Sequence, residues 1–165
     1  FGLDNVVVTP HLGAATTEAQ ENVALQVAEQ MSDYLLTGAV TNALNMPSVT
    51  AEEAKVMGPW VKLAGHLGAF TGQLTDEPIR AINILYNGST ASMNTAALNA
   101  AAIAGIMKAT NPDVNMVSAP VIAKDRGIDV STTTQEKTGV FDAYIKLTVV
   151  TDKRERSIAD RKSVG

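Results

Sequence analysis

The stretch Val6-Val7-Val8-Thr9-Pro10-His11-Leu12-Gly13-Ala14-Ala15-Thr16-Thr17 limits the fold more than any other part of the chain. Three consecutive valines are the pattern of a strand covered on both faces, as in a parallel sheet. Pro10 has no N–H to give to a ladder, so the strand is expected to stop at about Thr9. Gly13 permits a tight path, and Thr17 with Gln20 is a capping-box pattern that predicts a helix start. A histidine is thereby placed between the carboxyl end of a strand and the amino end of a helix. In open α/β sheets that crevice is where ligands bind. An imidazole titrating near neutrality is suited there to proton transfer. On spacing alone a histidine so placed is more often a surface or helix-capping residue.

The string from Asn5 to Thr16 closely resembles the signature of the D-isomer-specific 2-hydroxyacid dehydrogenases. The resemblance implies that His11 is the general acid/base, exchanging a proton with the substrate's hydroxyl or keto oxygen while hydride passes to or from a nicotinamide. It also implies that the backbone of Gly13 and Ala14 lies beside that nicotinamide, with NAD as the cofactor. The fold class it implies is α/β: the tail end of a Rossmann-like core, one strand plus a long helix.

The chain has 165 residues, enough for one domain or two small pieces. Hydrophobic residues are 45% and charged residues 18%, which suits a packed core and argues against wholesale disorder. A net charge of -4 argues against nucleic acid or an anionic membrane as the main partner. The lack of cysteine excludes disulfides and thiolate metal sites and is compatible with a cytoplasmic protein. No apolar run approaches the ~18 residues of a membrane-spanning helix. No Gly-x-Gly-x-x-Gly occurs, and the chain opens on Phe1 almost directly before the strand. The expectation is the C-terminal portion of a longer enzyme.

From Thr17 to Thr37, the stripe Ala19, Val23, Val27, Met31 and Leu35 predicts an amphipathic helix stopped by Gly38. Residues 39–47 have mixed polarity and read as a crossing segment, with a domain boundary near 48–51. Thr50 with Glu53 predicts a second capped helix, and Gly58-Pro59 predicts a break or kink in it. Trp60 reads as a core anchor. His66 has no Cys or acidic neighbour at metal-ligand spacing and reads as a solvated or core-edge residue. A strand is expected from Ile79 to Tyr86, an Ala-rich helix from Asn94 to Lys108, and a short strand or extended approach over Val114 to Val117. A short helix is expected from Ser118 to Arg126, then a weak strand from Val130 to Lys137. The alternation of Phe141, Ala143, Ile145, Leu147 and Val149 with polar residues predicts a half-buried strand, antiparallel to a neighbour. Together these predict a compact α+β domain over 52–158.

That second half resembles the intervening, or allosteric substrate-binding, domain of long-form D-3-phosphoglycerate dehydrogenases. The resemblance rests on Gly58-Pro-Trp-Val-Lys-Leu-Ala-Gly-His-Leu-Gly68, Gly72-Gln73-Leu74, Asn94-Thr-Ala-Ala-Leu-Asn-Ala100 and the run from Val114 to Ile128. It implies oxidation of 3-phosphoglycerate in serine biosynthesis by a homo-oligomeric enzyme. Residues 1–50 then end the nucleotide-binding domain and return toward the substrate domain, and 51–159 form the intervening domain. Residues 160–165 depart from the family and read as a foreign or truncated tail. The family's dinucleotide glycines, ribose-binding carboxylate, substrate-clamping arginine and histidine-partnering glutamate have no counterpart here, so this polypeptide alone is expected to be inactive. Arg80, Lys124 and Arg126 are the candidates for an effector anion, against the competing reading of solvated charge pairs. Two other readings stay open: a non-catalytic regulatory or oligomerisation module, and a 2-hydroxyacid dehydrogenase acting on hydroxypyruvate or lactate.

Overall fold

A computed structural model describes residues 3–136 and 141–161. The triple valine does not form the expected strand: Val6, Val7 and Val8 are 51%, 92% and 60% exposed, in a segment of turns and extended backbone. A parallel strand is held by neighbours on its edges, and the sheet found among the described residues lies wholly beyond residue 78. Helix α1 (Thr17–Thr37) forms as expected, with one shift at its start. Thr16, not Thr17, is the cap: its Oγ1 accepts from the Ala19 amide at 3.1 Å. Gln20 reaches past the cap to the Ala14 carbonyl at 3.3 Å. Gly38 ends the helix at φ 78°, where its amide closes on the Tyr34 carbonyl. No residue of α1 is buried.

Val40 and Val49 exchange two backbone hydrogen bonds of 2.8 Å, which pinch off the intervening residues as a loop. Helix α2 (Ala51–Gln73) then starts on the expected capping box: the Glu53 amide donates to Thr50 Oγ1 at 3.2 Å, and the Thr50 amide to Glu53 Oε2 at 2.8 Å. Those bonds, the backbone one foremost, hold the Glu53 carboxyl below its usual pKa. The expected break at Gly58-Pro59 is absent, and α2 runs through it. Pro59 deprives one carbonyl, that of Lys55, of its helical partner. Lys55 and Pro59 are both exposed, where solvent can satisfy a helix carbonyl without a partner. Met57 and Trp60, at 3% and 6% exposure, anchor the turns on either side.

Strands β1 (Ile79–Gly88), β2 (Asp129–Gln135), β3 (Ala143–Thr151) and β4 (Glu155–Asp160) make one sheet in the order β2-β1-β3-β4. β1 pairs with β2 in parallel and with β3 antiparallel, Ile84 lying opposite Leu147. The parallel pair requires a crossover, which is built from a 3₁₀ turn (Ser89–Ser92), helix α3 (Thr95–Lys108) and helix α4 (Ser118–Asp125). Alternation puts Ile82, Ile84 and Tyr86 of β1, and Ile145, Leu147 and Val149 of β3, on one face of the sheet. There they form a single apolar cluster with Trp60, Ala64 and Leu67 of α2 and Leu98, Ala102 and Ile106 of α3. The two helices pack closely because Gly68 lacks a side chain: a Cβ there would overlap the Ala102 carbonyl oxygen.

Three further local readings are corrected. Val114 to Val117 forms no strand: Met116 and Val117 turn into α4, where the Asn115 carboxamide oxygen accepts from the Val117 and Ser118 amides at 2.9 and 3.1 Å. Phe141 precedes β3 rather than opening it. The sheet also reaches into the stretch set aside as foreign: Asp160 pairs with Ile145 in β4, and the Arg161 guanidinium lies 4.2 Å from the Phe141 ring centre. Lys162 to Gly165, and Lys137 of the expected weak strand, lie outside the described residues.

Candidate functional site

The expected site residues fall in two separate places. His11 sits in a bend between the extended segment and α1, with its side chain exposed. The loop behind it is tied by the Ala15 amide to the Leu12 carbonyl at 3.1 Å and by Gln20 to Ala14. A Cβ added at Gly13 would meet nothing within 4 Å, while Ala14 is half-buried with its carbonyl taken by Gln20. Among the described residues no carboxylate pairs with His11, so its tautomer and orientation are not set by a second residue here.

The three basic candidates lie on the α+β unit, where the register sets Ala81, next to Arg80, opposite Asp129, three residues beyond Arg126. Arg80, at the start of β1, holds Asp152 of the β3–β4 hairpin with both arms, Nε–Oδ1 2.8 Å and Nη2–Oδ2 3.0 Å. That pair pulls the Asp152 carboxyl below its usual range and raises the guanidinium. Arg80 is thus engaged as a charge pair, with its fork geometry filled. Glu77 beside it accepts from the Thr151 hydroxyl at 2.6 Å and from Arg154 at 3.0 Å, which hold its carboxyl low. Arg156 completes the hairpin's attachment by donating to the Leu74 carbonyl. Lys124 and Arg126 sit at the exposed end of α4.

Lys124 faces a cleft of about 700 Å³ between the 44–47 segment, α3, α4 and the start of β2, where Asn45, Asn99 and Asp129 are the other polar side chains. Asn99 is fixed there from both sides. Its Oδ1 accepts from the buried Tyr86 hydroxyl at 2.7 Å, and its Nδ2 donates to Thr132 Oγ1 at 2.8 Å. Burial pushes the Tyr86 hydroxyl pKa well above that of a free phenol. A second cleft, about 800 Å³, opens along the crossing of α2 and α3 and is lined by Lys62, His66 and Lys108. Sequence reading left these three apart and took His66 as solvated or core-edge. The one available signal was the i, i+4 spacing of Lys62 and His66 on a single helix face. Among the described residues no group of three or more His, Asp or Glu side chains is placed to hold a metal. No helix among them is long and apolar enough to cross a membrane.

A helical pair laid on one face of a mixed four-stranded sheet, preceded by the histidine loop and helix α1, puts the chain in the α/β class. The family follows from residues 56–161, which match the family model described as the D-3-phosphoglycerate dehydrogenase intervening domain. The chain belongs to that family. It is similar to the D-3-phosphoglycerate dehydrogenase of Bacillus subtilis (strain 168), 35% identical over 149 residues, covering 90% of this chain and 28% of that protein. The Methanocaldococcus jannaschii protein of the same name is 36% identical over 159 residues, covering 94% of this chain and 30% of the relative. The Synechocystis one is 43% identical over 128 residues, or 76% and 23%. The chain thus spans between about a quarter and a third of the length of the relatives it matches. Its kinship is with phosphoglycerate dehydrogenases, and so with oxidoreductases.

Proposed function

We propose that this chain is part of a D-3-phosphoglycerate dehydrogenase, contributing the histidine loop and the intervening domain of an enzyme that oxidises 3-phosphoglycerate with NAD. The observation that carries the reading is the union, in one polypeptide, of the Thr9-Pro10-His11 motif with the family match over 56–161. On this reading residues 1–50 belong to the nucleotide-binding side and residues 51–159 are the intervening domain. The open space at Gly13 suits one edge of a nicotinamide, with Ala14 beside it. The sequence carries no Gly-x-Gly-x-x-Gly, so on this reading NAD is held mainly by the rest of the dehydrogenase. When bound, it accepts the hydride from the hydroxyl-bearing carbon. The part of this chain is to take the proton of that hydroxyl on the exposed imidazole of His11. The chain by itself is then a non-catalytic module, and catalysis belongs to a cytoplasmic homo-oligomer of the whole enzyme. An effector anion, if one binds near α4, falls to Lys124 and Arg126, since Arg80 is held by Asp152.

The test is to express the whole reading frame and assay it with NAD and 3-phosphoglycerate beside His11→Ala. Loss of the proton-transfer group is expected to lower kcat by roughly 10²–10⁴-fold with the circular dichroism unchanged. A variant keeping a third or more of wild-type kcat removes His11 from the chemistry. Turnover of hydroxypyruvate or lactate in preference to 3-phosphoglycerate replaces the substrate.

A further inference from the structure

We propose that the trench along the crossing of α2 and α3 is a binding site for a small anion with a narrow apolar body, its charge held by Lys62 and Lys108 with the His66 ring beside them. The crossing is close. A Cβ on Gly105 would overlap the Gly65 carbonyl oxygen and stand 2.8 Å from the Ala69 amide nitrogen. Where both helices carry such short side chains, their contact leaves a furrow, here about 800 Å³, floored by Gly65, Ala69, Ala101 and Gly105. That floor offers apolar surface to a flat or thin body.

The rim is of one sign. Lys62 and His66 stand a turn apart on α2, and Lys108 comes from the last turn of α3. No Asp or Glu lines the furrow, although the chain carries 17 of them and a net charge of -4. Among the described residues none of the three basic side chains is in an ion pair. A concave site walled by one sign of charge concentrates counter-ions more strongly than the same charges on a flat surface. Further hydrogen-bonding groups adjoin. The Asn115 carboxamide oxygen is spent on the Val117 and Ser118 amides, which leaves its amino group to donate, and the Ser118 hydroxyl lies on the same wall. The neighbouring cleft has no such uniformity, because Lys124 shares it with Asp129. The site stands on this geometry alone and does not depend on the proposed dehydrogenase reading.

The 165-residue chain, labelled with 15N, is titrated at low ionic strength with phenyl phosphate, benzoate and inorganic phosphate, and amide shifts are followed. Expected are saturable shifts in α2 around Lys62 and His66 and in α3 near Lys108 with phenyl phosphate or benzoate, the tighter of the two naming the head group. Inorganic phosphate, lacking the apolar body, is expected to bind several-fold more weakly. Lys62→Gln with Lys108→Gln is expected to weaken binding about tenfold or more, while Lys124→Gln leaves it unchanged. Both lysines are exposed, so the double variant is expected to melt with the wild type, as circular dichroism checks. Shifts without saturation, shifts centred on α4, or affinity retained in the double variant overturn the proposal. Inorganic phosphate binding as tightly as phenyl phosphate overturns its apolar half.

Discussion

Helices α1 and α3 both carry long apolar runs, and their surroundings differ completely. In α3 every residue from Ala97 to Met107 except Asn99 is buried. In α1 none is, and Val23, Val27, Met31 and Leu35 stand 45%, 48%, 60% and 78% exposed. Propensity and capping suffice to draw both helices, but burial needs a complementary surface within reach. α3 has one on each side, the closely fitted α2 and the face of β1 and β3. The exposed stripe of α1 is the kind of surface that a larger protein covers, and on the proposed reading the nucleotide-binding domain does so.

The widest separation between the two regions is expected from truncating one leucine in each. Leu98 is fully buried, and Leu98→Ala is expected to cost about 3 kcal/mol in urea unfolding followed by Trp60 fluorescence. Leu35→Ala on α1 is expected to stay within about 0.5 kcal/mol of wild type in this chain. In the whole dehydrogenase the same Leu35→Ala is expected to cost roughly 1.5–3 kcal/mol. If it is neutral there too, nothing covers the stripe and the contrast is intrinsic to the helix. Glycine gives the next contrast. Ala in place of Gly68 gains about 1 kcal/mol of helix propensity, but its Cβ meets the Ala102 backbone oxygen, which has no rotamer to escape into. The net expectation is destabilisation by about 2 kcal/mol. Gly13→Ala, with open space around it, is expected to leave the midpoint unchanged.

Where the sequence carried complete local chemistry, it could be read closely. The Thr50–Glu53 box, the Gly38 stop and the β3 alternation each encode their element within a few residues. Failures came where the outcome depended on something distant. Three valines specify a buried strand only if partner strands exist, and among the described residues none reaches them. Gly58-Pro59 is a breaker in isolation, yet tertiary anchoring by Met57 and Trp60 carries the helix through it. The clefts were illegible for the same reason. Lys62 and Lys108 line one cleft only because two helices cross at glycines whose role lies in the contact, not in the local sequence. His11, by contrast, was legible as a motif, while its local surroundings supply no partner for its ring.

Buried polar groups separate the regions by a smaller amount. Tyr86→Phe deletes the donor to Asn99 Oδ1 and is expected to cost about 1–2 kcal/mol, while Tyr34→Phe on α1, 53% exposed, is expected to cost nothing measurable. Burial holds the Tyr86 hydroxyl protonated in the fold after the unfolded chain has begun to ionise. That stabilisation is therefore fully present below about pH 10 and is lost as pH rises beyond it, so Tyr86→Phe is expected to flatten the alkaline limb of the stability profile.

The smallest expected effect concerns charge, at the hairpin that closes the sheet. Thr151, Arg154 and Lys153 together depress the Glu77 carboxyl. A depressed carboxyl stabilises the fold at pH values above its unfolded pKa, about 4.3, and the contribution fades as pH falls through the lower folded value. Glu77→Gln keeps the shape and removes the charge. Its urea midpoint is expected to lie below wild type at pH 7 and to converge on it as the pH is taken down through the carboxylate range. The matched control is Glu21→Gln on α1, where among the described residues no cation or hydroxyl partners the carboxylate. It is expected to move the pH 7 midpoint less than Glu77→Gln does. A gap between Glu77→Gln and wild type that stays constant with pH assigns the loss to packing rather than charge. The hairpin would then be held to the end of α2 by the Arg156–Leu74 contact and the Thr151 turn instead of by its ion pairs.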